Sequence, residues 1–276
     1  MAKVGFVKLG NLGTSQGIDL LLDEIAQREG IEVRVLGSGA KMTPKEAEES
    51  AELKQWGPDF VIIISPNAMA PGPTKAREIW SDTPTIVISD GPTKKDDRKA
   101  IEEAGFGYII IPMDPLIGAK RQFLDATEMI SFNSDVLKVL SLTGVSRLVK
   151  EELDKVIAQV DAGKSGKELE LPHILVTPEK CTERMNFSNP YARAKAMAAA
   201  HIASKVPDLT FKACFVYKDI EDIVLAAAAG HEMMRIAAKL AEESREIEKT
   251  LDEVSRMPHA KSGETLSKMK LYEKPQ

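Results

Sequence analysis

Five short apolar runs, each followed by a segment that reads as a helix, restrict this chain more than any other feature. They fall at residues 4–9, 31–36, 59–64, 84–88 and 108–111, and they are rich in Val and Ile. Runs such as Phe60-Val61-Ile62-Ile63-Ile64 are apolar on both faces, which suits a sheet covered on both sides. Strand alternating with helix through five strands implies a parallel, doubly wound sheet. Helices are expected over 18–25, 74–80 and 94–104, and Thr43-Pro44-Lys45-Glu46 opens another with a capping residue and a proline at the first position.

The pattern changes after residue 115. Residues 116–160 read as almost wholly helical with a break near 141–144, and 161–167 as a polar linker. Short strands are expected at 173–176 and 211–217, on either side of a helix over 190–204. An alanine-rich helix from about 219 to 256 and a β-ribbon at 265–272 complete the chain. The predicted organisation is an α/β parallel-sheet domain at 1–115 carrying the ligand loops, and a mainly helical region at 116–276 with short strands and the C-terminal ribbon.

The first strand leads into Gly10-Asn11-Leu12-Gly13-Thr14-Ser15-Gln16-Gly17. A glycine-rich turn between strand and helix offers free N–H groups to an anion or a polar ring edge. Thr14 or Ser15 suits the N-cap, and Gly13 suits a positive backbone angle or close ligand approach. The plain alternative is a tight βα turn and nothing more. The spacing is not the dinucleotide fingerprint, and the second strand ends in Gly37-Ser38-Gly39 with no carboxylate for a ribose. No Gly-Lys-Ser/Thr follows, which also excludes a P-loop.

The chain has 276 residues, 43% of them hydrophobic, enough for a substantial core. A formal net charge of −5 argues against a general nucleic-acid binder. No apolar run reaches membrane-span length, the N-terminus enters a strand with no signal peptide, and Cys181 and Cys214 form no metal or redox motif. A cytoplasmic setting is expected. His173, His201, His231 and His259 are scattered, and His231-Glu232-Met233-Met234-Arg235 has Arg where a zinc-protease helix needs its second His. Neither a metal site nor a nucleophilic triad is expected.

Ligands of open parallel sheets bind outside the carboxyl ends of the strands. Four loops fall there, and each carries an Asn or Asp able to grip the N–H and C=O edge of a heterocycle. The candidate binding residues are Gly10, Asn11, Leu12, Gly13 and Thr14 in the first loop, and Ser65, Pro66 and Asn67 in the second. Asp90, Gly91 and Pro92 supply the third, and Met113 and Asp114 the fourth. Turn and capping chemistry accounts for some of these residues equally well. Lys94, Lys95 and Arg98 are either a solvated helix face or a partner for an anionic ligand tail. The helices rich in alanine and methionine, at 190–204 and 223–240, suit close packing in the core or between subunits.

Several marks occur together: Gly-Asn-Leu-Gly-Thr-Ser at 10–15, Pro-Asn-x-x-Ala-Pro-Gly-Pro at 66–73, Gly-Tyr-Ile at 107–109, Asn-Pro-Tyr-Ala at 189–192, His-Glu-Met-Met-Arg at 231–235 and Pro-His-Ala at 258–260. In this combination the chain resembles the coenzyme F420-dependent methylenetetrahydromethanopterin dehydrogenases of methanogenic and related archaea, over essentially its whole length. The resemblance implies reversible hydride transfer between N5,N10-methylenetetrahydromethanopterin and oxidised coenzyme F420, a deazaflavin, in methanogenesis from CO2. It implies no metal, no bound flavin, and a homo-oligomer, a hexamer built as a trimer of dimers. A chain without triad, metal or dedicated acid or base fits such chemistry, because the two cofactors carry the reaction and the protein aligns them. Two alternatives stay open at this point: a non-catalytic α/β ligand-binding or regulatory protein, and a nicotinamide dehydrogenase, which would need the missing ribose acid.

Overall fold

A computed structural model describes residues 1–117 and 125–276. The chain forms two compact units, residues 1–111 with 149–175 and residues 112–148 with 176–276. In the first, strands β1 (Ala2–Lys8), β2 (Ile31–Gly37), β3 (Phe60–Ser65), β4 (Thr85–Ser89), β5 (Gly107–Ile110) and β6 (His173–Leu175) form one sheet. Its order is β2-β1-β3-β4-β5-β6, and every pairing is parallel. The expected doubly wound parallel sheet is therefore present.

The reading by periodicity needs correction on how the chain divides. It ended the sheet at residue 115 and left 116–276 together, whereas 149–175 belong with the sheet. Strand β6 has three residues, too few for alternation to reveal which sheet it joins.

Helices α1 (Gly13–Gly17), α2 (Pro44–Glu49), α3 (Pro71–Ile79) and α4 (Lys95–Glu103) follow the first four strands. The capping box at Thr43 and Glu46 forms as its residues suggested, with proline in the first turn. Beneath α2 and α3, Val7, Leu9, Val61 and Ile63 pack with Ala47, Ala76 and Trp80. The buried indole Nε1 of Trp80 donates to Ser50 Oγ at 3.0 Å. Beneath α4, Val87, Ile101 and Phe106 form a smaller cluster with Ala68. Burying such side chains contributes roughly 1.5–3 kcal/mol each.

The helix expected over 18–25 is only a 3-10 turn, Ile18–Leu21, after the five-residue α1. Ile18 and Leu22 are buried while Leu20 is exposed, so little apolar surface rewards a longer helix. Asp19 is instead drawn to Lys8 Nζ at 3.2 Å.

The second unit is helical: α5 (Ala126–Leu142), the start of α6 (Val145–Asp161), α7 (Pro178–Arg184), α8 (Pro190–Ala203), α9 (Val206–Phe215) and α10 (Ile220–Thr250). The strand expected at 211–217 is mostly α9. Val206, Pro207, Thr210, Ala213 and Cys214 are its buried residues, a helical spacing that outweighs the strand-forming residue types. Expected residues 118–124 of the long helical segment lie outside the described residues. The ribbon reduces to two isolated antiparallel bridges, Arg256↔Lys268 and His259↔Thr265.

Small residues hold α8 against α10. Ala192, Ala196, Ala199, Ala200 and Ala203 are buried on α8, and Ala237, Ala238 and Ala241 on α10, whose Ala227 and Gly230 pack against α9 instead. Glu248, 3% exposed, accepts from Ser188 N at 3.1 Å, Ser188 Oγ at 3.1 Å and Asn189 N at 3.0 Å. Asn189 then caps α8, its Oδ1 accepting from Tyr191 N at 2.8 Å. Glu248→Ala would leave these donors without their charged acceptor, and a loss of about 2–4 kcal/mol is expected. Glu248→Gln, which keeps an acceptor, should lose less. Thermal unfolding of the two variants checks this ranking.

Candidate functional site

The strand order reverses between β1 and β3. From β1 the chain moves outward to β2, then crosses back to β3 on the other side of β1. At such a switch point the loops leaving the carboxyl ends diverge and open a crevice. Lys8 pairs with Ile64, and Ser65 with Ser89, so the ends of β1, β3 and β4 lie level.

The two central loops are in contact. Gly10 has φ +84°, and a Cβ added there would lie 3.0 Å from Pro66 Cδ and 3.2 Å from Met42 Sδ. Gly10, not Gly13, thus carries the positive backbone angle. Gly13 and Thr14 lie within α1, and the N-cap is Leu12, which makes no side-chain cap. The expected capping by Thr14 or Ser15 is therefore corrected: Ser15 Oγ donates back to Leu12 O at 2.6 Å. The turn closes through backbone and Ser15, and Asn11 projects half-buried with no side-chain hydrogen bond among the described residues.

Ser89, whose importance periodicity does not reveal, ties the β3 and β4 loops. Its Oγ donates to Ser65 O at 2.8 Å and accepts from Ala68 N at 3.0 Å. Asn67 Oδ1 accepts from Met69 N at 3.0 Å, which leaves its amide N–H2 as the outward polar group. Asp90 is buried and accepts from Gly91 N, while Gly91 is exposed and Pro92 partly so.

The predicted residues thus separate by access. Asn11, Asn67, Gly91 and Pro92 reach the surface, whereas Gly10, Leu12, Gly13, Thr14, Ser65, Pro66 and Asp90 are buried supports. The Ser65 hydroxyl is buried with no hydrogen-bond partner among the described residues, at the carboxyl end of β3. Met113 and Asp114 are also buried and fall in the second unit. Lys94 and Lys95 are exposed at the start of α4, and Arg98 donates to Thr93 O at 3.0 Å.

Each unit also carries a cleft lined by other residues. One of about 700 Å³ opens at the amino ends of β4, β5 and β6, lined by Thr83, Phe106, Lys167 and His173. Another of about 640 Å³, in the second unit, is lined by Phe132, Asp135, His231 and Arg235. There His231 stacks on Phe132 with centroids 4.0 Å apart, and burial lowers its pKa. The stack accounts for His231 by packing. Among the described residues no group of His, Cys, Asp and Glu is arranged to hold a metal.

Fold and loop chemistry define the class: a doubly wound parallel-sheet α/β protein without the dinucleotide fingerprint, whose central strand ends carry amides and glycine rather than an acid–base pair. The model of the methylene-5,6,7,8-tetrahydromethanopterin dehydrogenase family matches residues 2–276, and the chain belongs to that family. It is 63% identical to the F420-dependent methylenetetrahydromethanopterin dehydrogenase of Methanosarcina mazei, over 100% of this chain and 99% of the relative. To the enzyme of the same name from Archaeoglobus fulgidus it is 55% identical, with 100% of both chains covered. A solved F420-dependent methylene-tetrahydromethanopterin dehydrogenase, in complex with methylene-tetrahydromethanopterin and coenzyme F420, superposes with a TM-score of 0.94. It shares 44% identity, and 100% of each chain is covered.

Proposed function

We propose that this chain catalyses reversible hydride transfer between N5,N10-methylenetetrahydromethanopterin and coenzyme F420, yielding methenyltetrahydromethanopterin and reduced F420. The full-length family match carries this reading. Both compounds are small-molecule substrates, and they supply the chemistry: a hydride passes from the methylene carbon to a deazaflavin ring carbon. The chain's part is to orient two rings and exclude water.

The proposed binding edge is the switch point of the first unit. Asn11 and Asn67 offer amides to a ring edge, and Gly91 and Pro92 border them. Gly10, Leu12, Gly13, Thr14, Ser65, Pro66 and Asp90 hold these groups in place. Lys94 and Lys95 favour an anionic ligand tail.

Assembly as a homo-oligomer, a hexamer of three dimers, is part of the same proposal. Its support is exposed apolar surface on α9 and α10, where Phe211, Phe215, Ile220, Val224, Leu225 and Ile236 face outward. The alanines expected to serve an interface are largely buried within the helical unit. Cytoplasmic location is proposed as well. Among the described residues no helix is long and apolar enough to cross a membrane.

The test is the absorbance of oxidised deazaflavin mixed with the protein and methylene-tetrahydromethanopterin. Bleaching at catalytic protein concentration is expected, and its rate should be unchanged by prior incubation with a strong chelator. Absence of bleaching would leave a ligand-binding protein. A rate lost to chelator and restored by a divalent ion would put a metal in the site.

A further inference from the structure

Arg77, in α3, is buried to 7% exposure, and all its hydrogen-bond acceptors lie between Ala68 and Thr74. Nη1 donates to Ala68 O and, at 3.4 Å, to Pro73 O; Nη2 reaches Thr74 Oγ1 at 3.2 Å and Met69 Sδ at 3.8 Å. Among the described residues no carboxylate lies within ion-pair distance of it. Asp97 and Glu78 favour its charge only from farther away, and burial lowers its pKa. A buried guanidinium without a paired carboxylate is costly to desolvate. An apolar side chain would fill the same space beneath α3 more cheaply.

What the guanidinium adds is a fixed loop. The Ala68 residue is held at both ends, its N–H by Ser89 Oγ at 3.0 Å and its C=O by Arg77. Asn67 immediately precedes it. With Asn67 Oδ1 committed to Met69 N at 3.0 Å and Asn67 O to Ala70 N at 3.2 Å, the carboxamide has one orientation left, N–H2 outward.

We propose that Arg77 is a positioning residue for ligand recognition: by clasping the loop between β3 and α3 it fixes the Asn67 carboxamide as a hydrogen-bond donor to a carbonyl on the edge of a bound heterocycle. This rests on the sheet-edge site proposed above. Arg77 touches no ligand itself and acts through Asn67. Its five N–H donors in a planar fork can serve several carbonyls at once, which a lysine ammonium at the same place cannot reproduce.

The experiment is a double-mutant cycle in the full-length protein. It combines Arg77→Met, Arg77→Lys and Asn67→Ala, with kcat and KM measured for oxidised deazaflavin and for methylene-tetrahydromethanopterin, beside thermal unfolding. Arg77→Met and Asn67→Ala should each raise KM for the same one of the two compounds by roughly five- to tenfold, as loss of one hydrogen bond would. In the Asn67→Ala background Arg77→Met should add almost nothing. If Arg77→Met does not fold, Arg77→Lys runs the same cycle with the charge kept and the fork removed. Arg77 variants that lower stability yet leave both KM values unchanged, or whose effects add to those of Asn67→Ala, would make Arg77 a strut and overturn its role alone. Asn67→Ala with normal kinetics would overturn both the role and the sheet-edge site.

Discussion

Replacing Gly10 with alanine is expected to lower turnover at limiting deazaflavin by roughly 10- to 100-fold while the protein stays folded. At φ +84° an L-residue is strained, by about 1–2 kcal/mol. The added methyl would also press on Pro66 Cδ at 3.0 Å, the residue before Asn67. Relief by moving either loop shifts Asn11 or Asn67, and misplacement of a bound ring by about 1 Å is enough for a loss of this size. Asn11→Ala, which leaves the backbone alone, should lower turnover in the same direction with little change in thermal unfolding. Steady-state kinetics beside unfolding curves separate the two variants. Normal turnover at limiting coenzyme in both would reduce this loop to a simple turn.

Gly10 also shows how far sequence reasoning reaches. A strand, a glycine-rich turn and a following helix were legible because buried strands need apolar runs and tight turns need glycine. Which glycine takes the left-handed angle was not, since Gly10 and Gly13 differ only in how the chain must bend to pass Pro66. The sheet was legible through five strands for the same reason. Strand β6 was not, because three residues beside β5 gain their partner from the fold and not from their own pattern. Residues 211–217 carry aromatic and β-branched types that favour strands. Residues 211–215 became helix because Ala213 and Cys214 continue the buried face begun by Val206, Pro207 and Thr210, a face that meets α10 at Gly230, where an added Cβ would lie 3.1 Å from Thr210 Cγ2. Arg77 and Ser89 were invisible as supports for the opposite reason. Arginine in a helix and serine at a strand end are ordinary, and only the bonds they make across the loops reveal their work.

The largest loss of stability is expected from Gly144→Ala, in the turn between α5 and α6. Gly144 has φ +100°, and a Cβ there would lie 2.0 Å from the carbonyl oxygen of Cys181 and 2.9 Å from Met185 Cγ. The carbonyl belongs to the backbone of α7 and cannot swing aside as a side chain would. Its helix is further anchored: Thr177 Oγ1 accepts from Lys180 N at 3.3 Å, and the Cys181 side chain is wholly buried. That burial pushes the thiol pKa up to about 12, so it stays a neutral packing group through the physiological range. Left-handed strain of about 1–2 kcal/mol therefore adds to an overpacking cost of about 1–3 kcal/mol. At roughly 2–4 °C per kcal/mol for a protein of this size, the unfolding midpoint should fall by about 10 °C. Gly163→Ala is the matched control, with φ +86° and nothing within 4 Å of the added Cβ, and it should show the strain without the clash. Equal shifts in the two variants would mean that α7 yields to the new methyl, and that the close approach of Gly144 to Cys181 contributes little to the stability of the helical unit.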